Sequence, residues 1–321
     1  GTDGTVKIIR PQVSSLTFTT GTLAIDTDNA EINHSDGSFL AGTLEDKSVT
    51  LADSTVLSYK VCVFTADSIS IGSGVIVNLV GKNALSLRTR NNGNLTIGTQ
   101  LLANGSNAPD GTNPGPGKLG GFDGGREDHE GNGPGAGRRE YDGIRGGSAG
   151  YGGMGFSDGD ATLGKAYGDS PLTHLLGGSG GGGGDTDPGA AGGGAIELIA
   201  HGDGVLSLTA SAKISVNGGD AWRSHTKGGG AGSGGAIRLQ GGSINCLGTL
   251  EAKSSPAFAL HAGGGGGYGT PGQYHTNDNN FGKTYGSTAL THLHGGSGGG
   301  GAFATGGGAG GGAIPLEADG N

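Results

Sequence analysis

Charge is scarce in this chain: Asp, Glu, Lys and Arg supply 15% of its 321 residues, against about 25% in an ordinary globular protein. Proline is also sparse, at 10 residues. Disordered chains are typically rich in one or both, so their shortage favours an ordered fold. Aromatic residues make up 5% and hydrophobic residues 32%, too little for a conventional close-packed core of this size. No run of 18 apolar residues occurs, which excludes a membrane-spanning helix. The formal net charge of −9 comes without a basic cluster, which argues against a nucleic-acid partner. The single methionine, Met154, and a start at Gly1-Thr2-Asp3 suggest a mature chain whose leader has been removed.

The two cysteines, Cys62 and Cys246, cannot form a disulfide framework. They allow one bond in an oxidising compartment, or two small buried thiols within strands. Sequons at Asn33, Asn94 and Asn104 are candidate glycan acceptors in a eukaryotic secretory route.

What the chain has instead is glycine, 78 residues of it. Its distribution divides the sequence. Residues 1–63 have ordinary glycine content and read as an N-terminal β region, with the alternation of strands in Leu16-Thr17-Phe18 and Leu57-Ser58-Tyr59-Lys60-Val61. Residues 64–321 read as a glycine-rich repeat β domain. No segment there or earlier carries a helical period.

Within the glycine-rich region a single motif recurs four times: Ala84-Leu85-Ser86-Leu87, Ala195-Ile196-Glu197-Leu198, Ala236-Ile237-Arg238-Leu239 and Ala313-Ile314-Pro315-Leu316. Two further short strands follow each of the first three copies. Three short strands per unit predict an all-β fold in which β-solenoid-like coils carry ordered, polyglycine II-like tracts. A second repeat relates Gly164–Leu198 to Gly282–Leu316 without a gap. Tyrosine, leucine and histidine recur at fixed places inside these tracts, which a flexible linker would not require.

Chemical sites are weak by comparison. Asp158, Asp160, Asp185 and Asp187 lack the spacing of a calcium loop. His174, His292 and His294 lack fixed metal-binding partners. No phosphate-binding glycine loop is present. The acidic run Glu127-Asp128-His129-Glu130 sits beside Arg126, Arg138 and Arg139 and reads as a charged surface loop. An ice-binding plane would need regular Thr-x-Thr faces, which the linear sequence does not show.

Ile69-Ser70-Ile71, Gly74-Val75, Gly115-Pro116-Gly117, Gly133-Pro134-Gly135 and the run Gly232-Ser233-Gly234-Gly235-Ala236-Ile237-Arg238-Leu239 together resemble glycine-rich repeat proteins of bacterial and some eukaryotic cell surfaces. The resemblance covers about residues 64–318. It implies an extracellular, secreted, non-catalytic protein with no cofactor and no metal. The expected function is therefore a structural one: the subunit of a self-assembling fibre or surface layer. The alternative is an adhesin or phage receptor-binding protein on a polyglycine scaffold. Its partners would be copies of itself in a head-to-tail homopolymer, with glycans as a further class. The segment Thr5-Val6-Lys7-Ile8-Ile9-Arg10 is short, alternating and stopped by Pro11, so Val6, Ile8 and Ile9 are the candidate assembly residues of a donated strand.

Overall fold

The computed structural model describes residues 13–139, 146–151, 155, 164–167, 172–184, 187–221, 228–254 and 316–318. Among the described residues there is no helix. The N-terminal region contributes β1 (Leu16–Asp26), β2 (Glu31–His34), β3 (Phe39–Ala41), β4 (Thr43–Thr50), β5 (Val56–Ala66) and β6 (Ile69–Val80). Three triplets follow. They are β7 (Ala84–Thr89), β8 (Leu95–Ile97) and β9 (Gln100–Leu102); β10 (Ala195–Ile199), β11 (Val205–Leu208) and β12 (Lys213–Ser215); and β13 (Ala236–Gly241), β14 (Ser243–Cys246) and β15 (Thr249–Glu251). The last strand is β16, Leu316–Ala318.

The strands of each triplet go to three different sheets. Sheet A has the order β14-β11-β8-β6-β1-β2-β3, sheet B the order β16-β13-β10-β7-β5-β4, and sheet C the order β15-β12-β9. The recurring motif lies side by side in sheet B. Leu85, Ile196 and Ile237 occupy one register row, and Leu87, Leu198, Leu239 and Leu316 another. Alternation then does the sorting. The second and fourth positions of the motif face a core shared with Leu95, Ile97, Leu206, Leu208, Leu101 and Ile214 from the other two sheets. Ile or Leu is needed there because in the first three copies each stacks on its equivalent one strand away and is wholly buried.

The expected architecture, an N-terminal β region followed by β-solenoid-like coils, does not hold. The two large sheets are mixed. Strands β1, β2 and β3 pair antiparallel at one end of sheet A, and β4 and β5 pair antiparallel at one end of sheet B, while the triplets pair in parallel. The boundary drawn between residues 63 and 64 falls inside β5, which joins β4 to β7. The described residues between β9 and β10 contribute no strand to the sheets. Their described glycine segments pack in a separate layer instead of winding around the sheets.

That layer is held by backbone contacts with a period of three. Along the tract 177–184, the amides of Gly178, Gly181 and Gly184 donate to the carbonyls of Gly193, Ala190 and Asp187. Those of Gly180 and Gly183 donate to Asn132 and His129. The carbonyls of Gly178, Gly181 and Gly184 accept from Phe122, Gly125 and Asp128. Two further neighbours are reached through Gly182, which donates to Gly147 and accepts from Gly230. A strand in a sheet bonds with a period of two. Bonds that return to the same neighbour every third residue describe an extended three-fold helix without internal hydrogen bonds.

The first position of the motif faces this layer. Ala84, Ala195 and Ala236 are buried with Val61, Val63, Tyr151, Leu172 and Leu175 in a second apolar cluster. Alanine suits the place because backbone comes close: a Cβ on Gly120 would meet the Ala84 Cβ at 3.1 Å.

At Gly180 any side chain would run into the Asp123 carbonyl. Gly180→Val is therefore expected to destabilise the chain by about 3 kcal/mol or more, because overpacking here has only backbone to displace. Chemical denaturation checks this; a variant with the wild-type midpoint would contradict the close packing.

Candidate assembly face

One end of the molecule is finished differently from the other. At the end formed by the third triplet, β14 is the last strand of sheet A and β15 the last of sheet C, and sheet B continues only to β16. Among the described residues, nothing pairs with the outer edges of β14 and β15. The strand Ser243-Ile244-Asn245-Cys246 carries no Lys, Arg, Asp or Glu, and the Leu247 that follows is 68% exposed. Its inward Ile244 is only partly covered, as are Leu250 and Ala252 beside it.

The opposite edges carry the features that keep a strand from pairing with strangers. On β4, Lys47 lies 2.9 Å from Glu45, Lys60 of β5 lies 2.8 Å from Asp46, and Arg88 approaches Glu45 at 3.5 Å. The short β3 is met on its edge by the Val13 amide, which donates to the Phe39 carbonyl at 3.0 Å.

Between the two ends runs a ladder of asparagines. The Asn94 carboxamide oxygen accepts from the Val205 amide at 2.9 Å, and Asn104 accepts from the Asn217 amide at 2.9 Å. Asn217 in turn accepts from the Lys253 amide at 2.8 Å. Each triplet thus satisfies a backbone donor of the next. The place of Asn104 and Asn217 is taken in the last triplet by Lys253, whose ammonium has no acceptor to offer. It turns instead to Glu251 at 2.9 Å, which Lys213 also reaches at 3.0 Å. Hydrogen bonds from Lys253, then Lys213 and Asn217, hold the Glu251 carboxyl down at about 2.

The sequence-derived site residues fall as follows. Val6, Ile8 and Ile9 lie outside the described residues, as do Asp158, Asp160, Asp185, His292 and His294. The sequon residues Asn94 and Asn104 are exposed corner residues whose carboxamide oxygens serve the ladder, and Asn33 lies on β2. The candidate Cys62–Cys246 disulfide is not formed; both thiols are free. Cys62 is buried in β5 of sheet B near the hairpin end, and Cys246 is exposed on the last strand of sheet A, so the topology keeps them apart. The acidic run pairs outward, Glu130 with Arg138 at 3.8 Å and Asp128 with Arg139 at 3.6 Å. Among the described residues, no three His, Cys, Asp or Glu side chains converge on a metal position.

Sequence reasoning missed one surface. Thr17, Ser70, Thr96, Ser207 and Asn245 stand in a single register row across the solvent side of five parallel strands of sheet A. Each strand contributes one of them, so no Thr-x-Thr spacing along the chain announces the row. Only the strand order could have found it.

A cleft of about 450 Å³ separates the tip of the β4–β5 hairpin from the glycine layer, lined by Asp53, Tyr151, Lys165, Tyr167 and His174 among others. Tyr151 and Tyr167 meet edge to face at 4.8 Å. Their hydroxyls donate to the carbonyls of Leu176 at 3.1 Å and Gly177 at 2.5 Å. Burial pushes the Tyr167 phenol well above its ordinary range, so it stays a neutral donor. No family model, curated protein or solved structure matches the chain.

Two expectations follow from this face. Burial, with Asp26 and Asp28 near by, pushes the Cys62 thiol up to about 12, and the thiolate is the reactive form. One thiol, Cys246, should therefore react with a thiol reagent at pH 8 in the native chain, and both in denaturant; two fast native reactions would contradict the buried β5. The second concerns Glu251, whose folded carboxyl lies below its ordinary 4.5. A lowered value means that its stabilisation is complete above the ordinary value and is lost as pH falls toward 2. Amide exchange across β15, corrected for intrinsic rates, should be flat from pH 6 to 8 and accelerate below about pH 4.

Proposed function

We propose that this chain is an extracellular structural protein, the subunit of a self-assembling fibre or surface layer, working without catalysis or cofactor and joining copies of itself head to tail. The observation that carries this reading is the asymmetry of the two ends. At one, the uncharged edge strand β14 with its partly covered apolar residues lies beside the ion-paired β15; at the other, the described edges are ion-paired or occupied. Unlike ends joining end to end make a heterologous contact, which propagates into a filament unless its rotation closes a ring. The glycine layer fits such a role, since its order rests on backbone bonds that no change of charge state touches.

Negative-stain microscopy and sedimentation of the intact chain test the reading. Filaments are the expected product, in equilibrium with a 31.0 kDa monomer. A chain that stays monomeric at millimolar concentration, near neutral pH and in moderate salt, would remove it.

The cleft beside Tyr151 and Tyr167 favours a second reading, an adhesin or receptor-binding protein on a polyglycine scaffold. Its volume and mixed aromatic and charged lining suit one or two sugar rings. Binding of a glycan by the monomer, lost at least tenfold in Tyr167→Ala with folding intact, would support it over the fibre.

A further inference from the structure

We propose that the open edge of β14 receives residues 5–10 of a second copy of this chain as the next parallel strand of sheet A. This inference rests on the fibre reading and names its joint.

Three observations carry it. The first is the pattern that sheet A imposes on each parallel strand. Leu16 and Phe18, Ile69 and Ile71, Leu95 and Ile97, and Leu206 and Leu208 place two apolar side chains two residues apart on the core side, in register. In β14 the same places hold Ile244 and Cys246. Ile244 is incompletely covered and Cys246 is exposed, so among the described residues the two apolar rows end on an incompletely covered strand. Val6-Lys7-Ile8 has the same spacing of two apolar residues around a polar one, and would extend both rows by one strand.

The second observation is the direction of the amides that have no partner among the described residues. The Leu247 amide donates inward, to the Leu208 carbonyl at 2.9 Å. Amides alternate sides along a parallel strand, so those of Cys246 and Ile244 point to the open edge. An added strand gains main-chain hydrogen bonds there, with Ile244 and Cys246 selecting its side chains.

The third is where residues 1–12 leave the described structure. Val13 is bonded to β3, the far end of sheet A from β14. With strands about 4.8 Å apart, some 29 Å of sheet separates that point from the chain's own β14. In a head-to-tail stack, the β14 edge of the next copy comes to the β3 end directly. The segment therefore meets a neighbour's acceptor edge without crossing its own sheet.

The test compares four variants of the full chain with the wild type, by sedimentation, negative stain and thermal unfolding. Val6→Asp and Ile8→Asp together break the donor. Cys246→Pro removes one outward amide, a change that an edge strand tolerates when the lost amide faces solvent. Cys246→Ser controls for the thiol, and deletion of residues 1–12 provides an acceptor. The expected result is filaments from the wild type and Cys246→Ser only. The donor variant and Cys246→Pro should be folded monomers melting within a few degrees of the wild-type monomer. A synthetic peptide of residues 1–12 should bind the deleted chain one to one, slowing exchange of the Ile244 and Cys246 amides at least tenfold, and should fail to bind the deleted chain carrying Cys246→Pro.

Normal filaments from the donor variant overturn the joint and leave the fibre standing. A donor variant that melts much lower as a monomer shows the segment pairing within its own subunit, which also overturns it. If the wild type forms no filament, the fibre reading fails, and the peptide decides the edge separately: no protection of β14 means that it accepts no such strand.

Discussion

Backbone has to approach backbone in this molecule, and the rest of the structure follows from that requirement. A chain with 32% hydrophobic residues has little apolar surface to bury; its main core lies among the three sheets, and a smaller cluster lies between sheet B and the glycine layer. The described segments beyond the sheets are ordered by satisfying amides and carbonyls against one another. Such packing works where the Cβ is missing, because every tract residue from Gly177 to Gly184 except Ser179 sits where a side chain would strike a neighbour's backbone or has a bonded neighbour on each side. Ordering glycine costs more entropy than ordering any other residue. The compensation is several neighbours per tract, bonded at intervals of three residues.

The exception inside the tract shows how tight the arrangement is. Ser179 is wholly buried, and its hydroxyl accepts from the Gly135 amide at 2.9 Å while its own amide donates to the Ser233 hydroxyl at 2.9 Å. The only side chain admitted is one small enough to behave as another backbone donor and acceptor. On the other side of the layer, the alanines of the repeated motif perform the matching function for the sheet. Their single methyl groups let glycine segments approach sheet B closely. Where a charge does enter this face, it is tied down at once. Glu197, almost fully buried, accepts from Ser86 at 2.6 Å, from Arg88 at 2.9 Å and from Arg238 at 3.1 Å. Neutralising a buried carboxylate with two guanidinium groups avoids the desolvation penalty of a lone charge.

Much of the strand content was legible in the sequence, because alternation and recurrence report local geometry. The motif copies at Ala84, Ala195 and Ala236 announced neighbouring strands, and the register brings them together. What the sequence did not reveal was the path between them. Short strands at even spacing look the same whether the chain winds continuously or leaves for a separate layer after Leu102 and returns at Ala195, so the inference of coils was an error of connection. The division at residue 63 falls within β5 for a related reason. Composition changes there, but pairing does not, since β5 needs both β4 and β7. That Cys62 and Cys246 stay unbonded, and that a polar row runs from Thr17 to Asn245, were beyond reach because both depend on strand order across the sheets. The proposed acceptor edge was half legible: the donor pattern stood in the sequence, while the open strand that matches it required the topology.

This fold requires glycine segments to be held by bonds between backbones as firmly as strands are held in a sheet. Amide hydrogen exchange on the monomer, read residue by residue, measures this directly. Residues 178–184 should exchange as slowly as Ala195–Ile199 of β10, with protection lost in the same cooperative step under denaturant. Exchange of that tract at the rate of an unstructured peptide, while β10 stays protected, would contradict it.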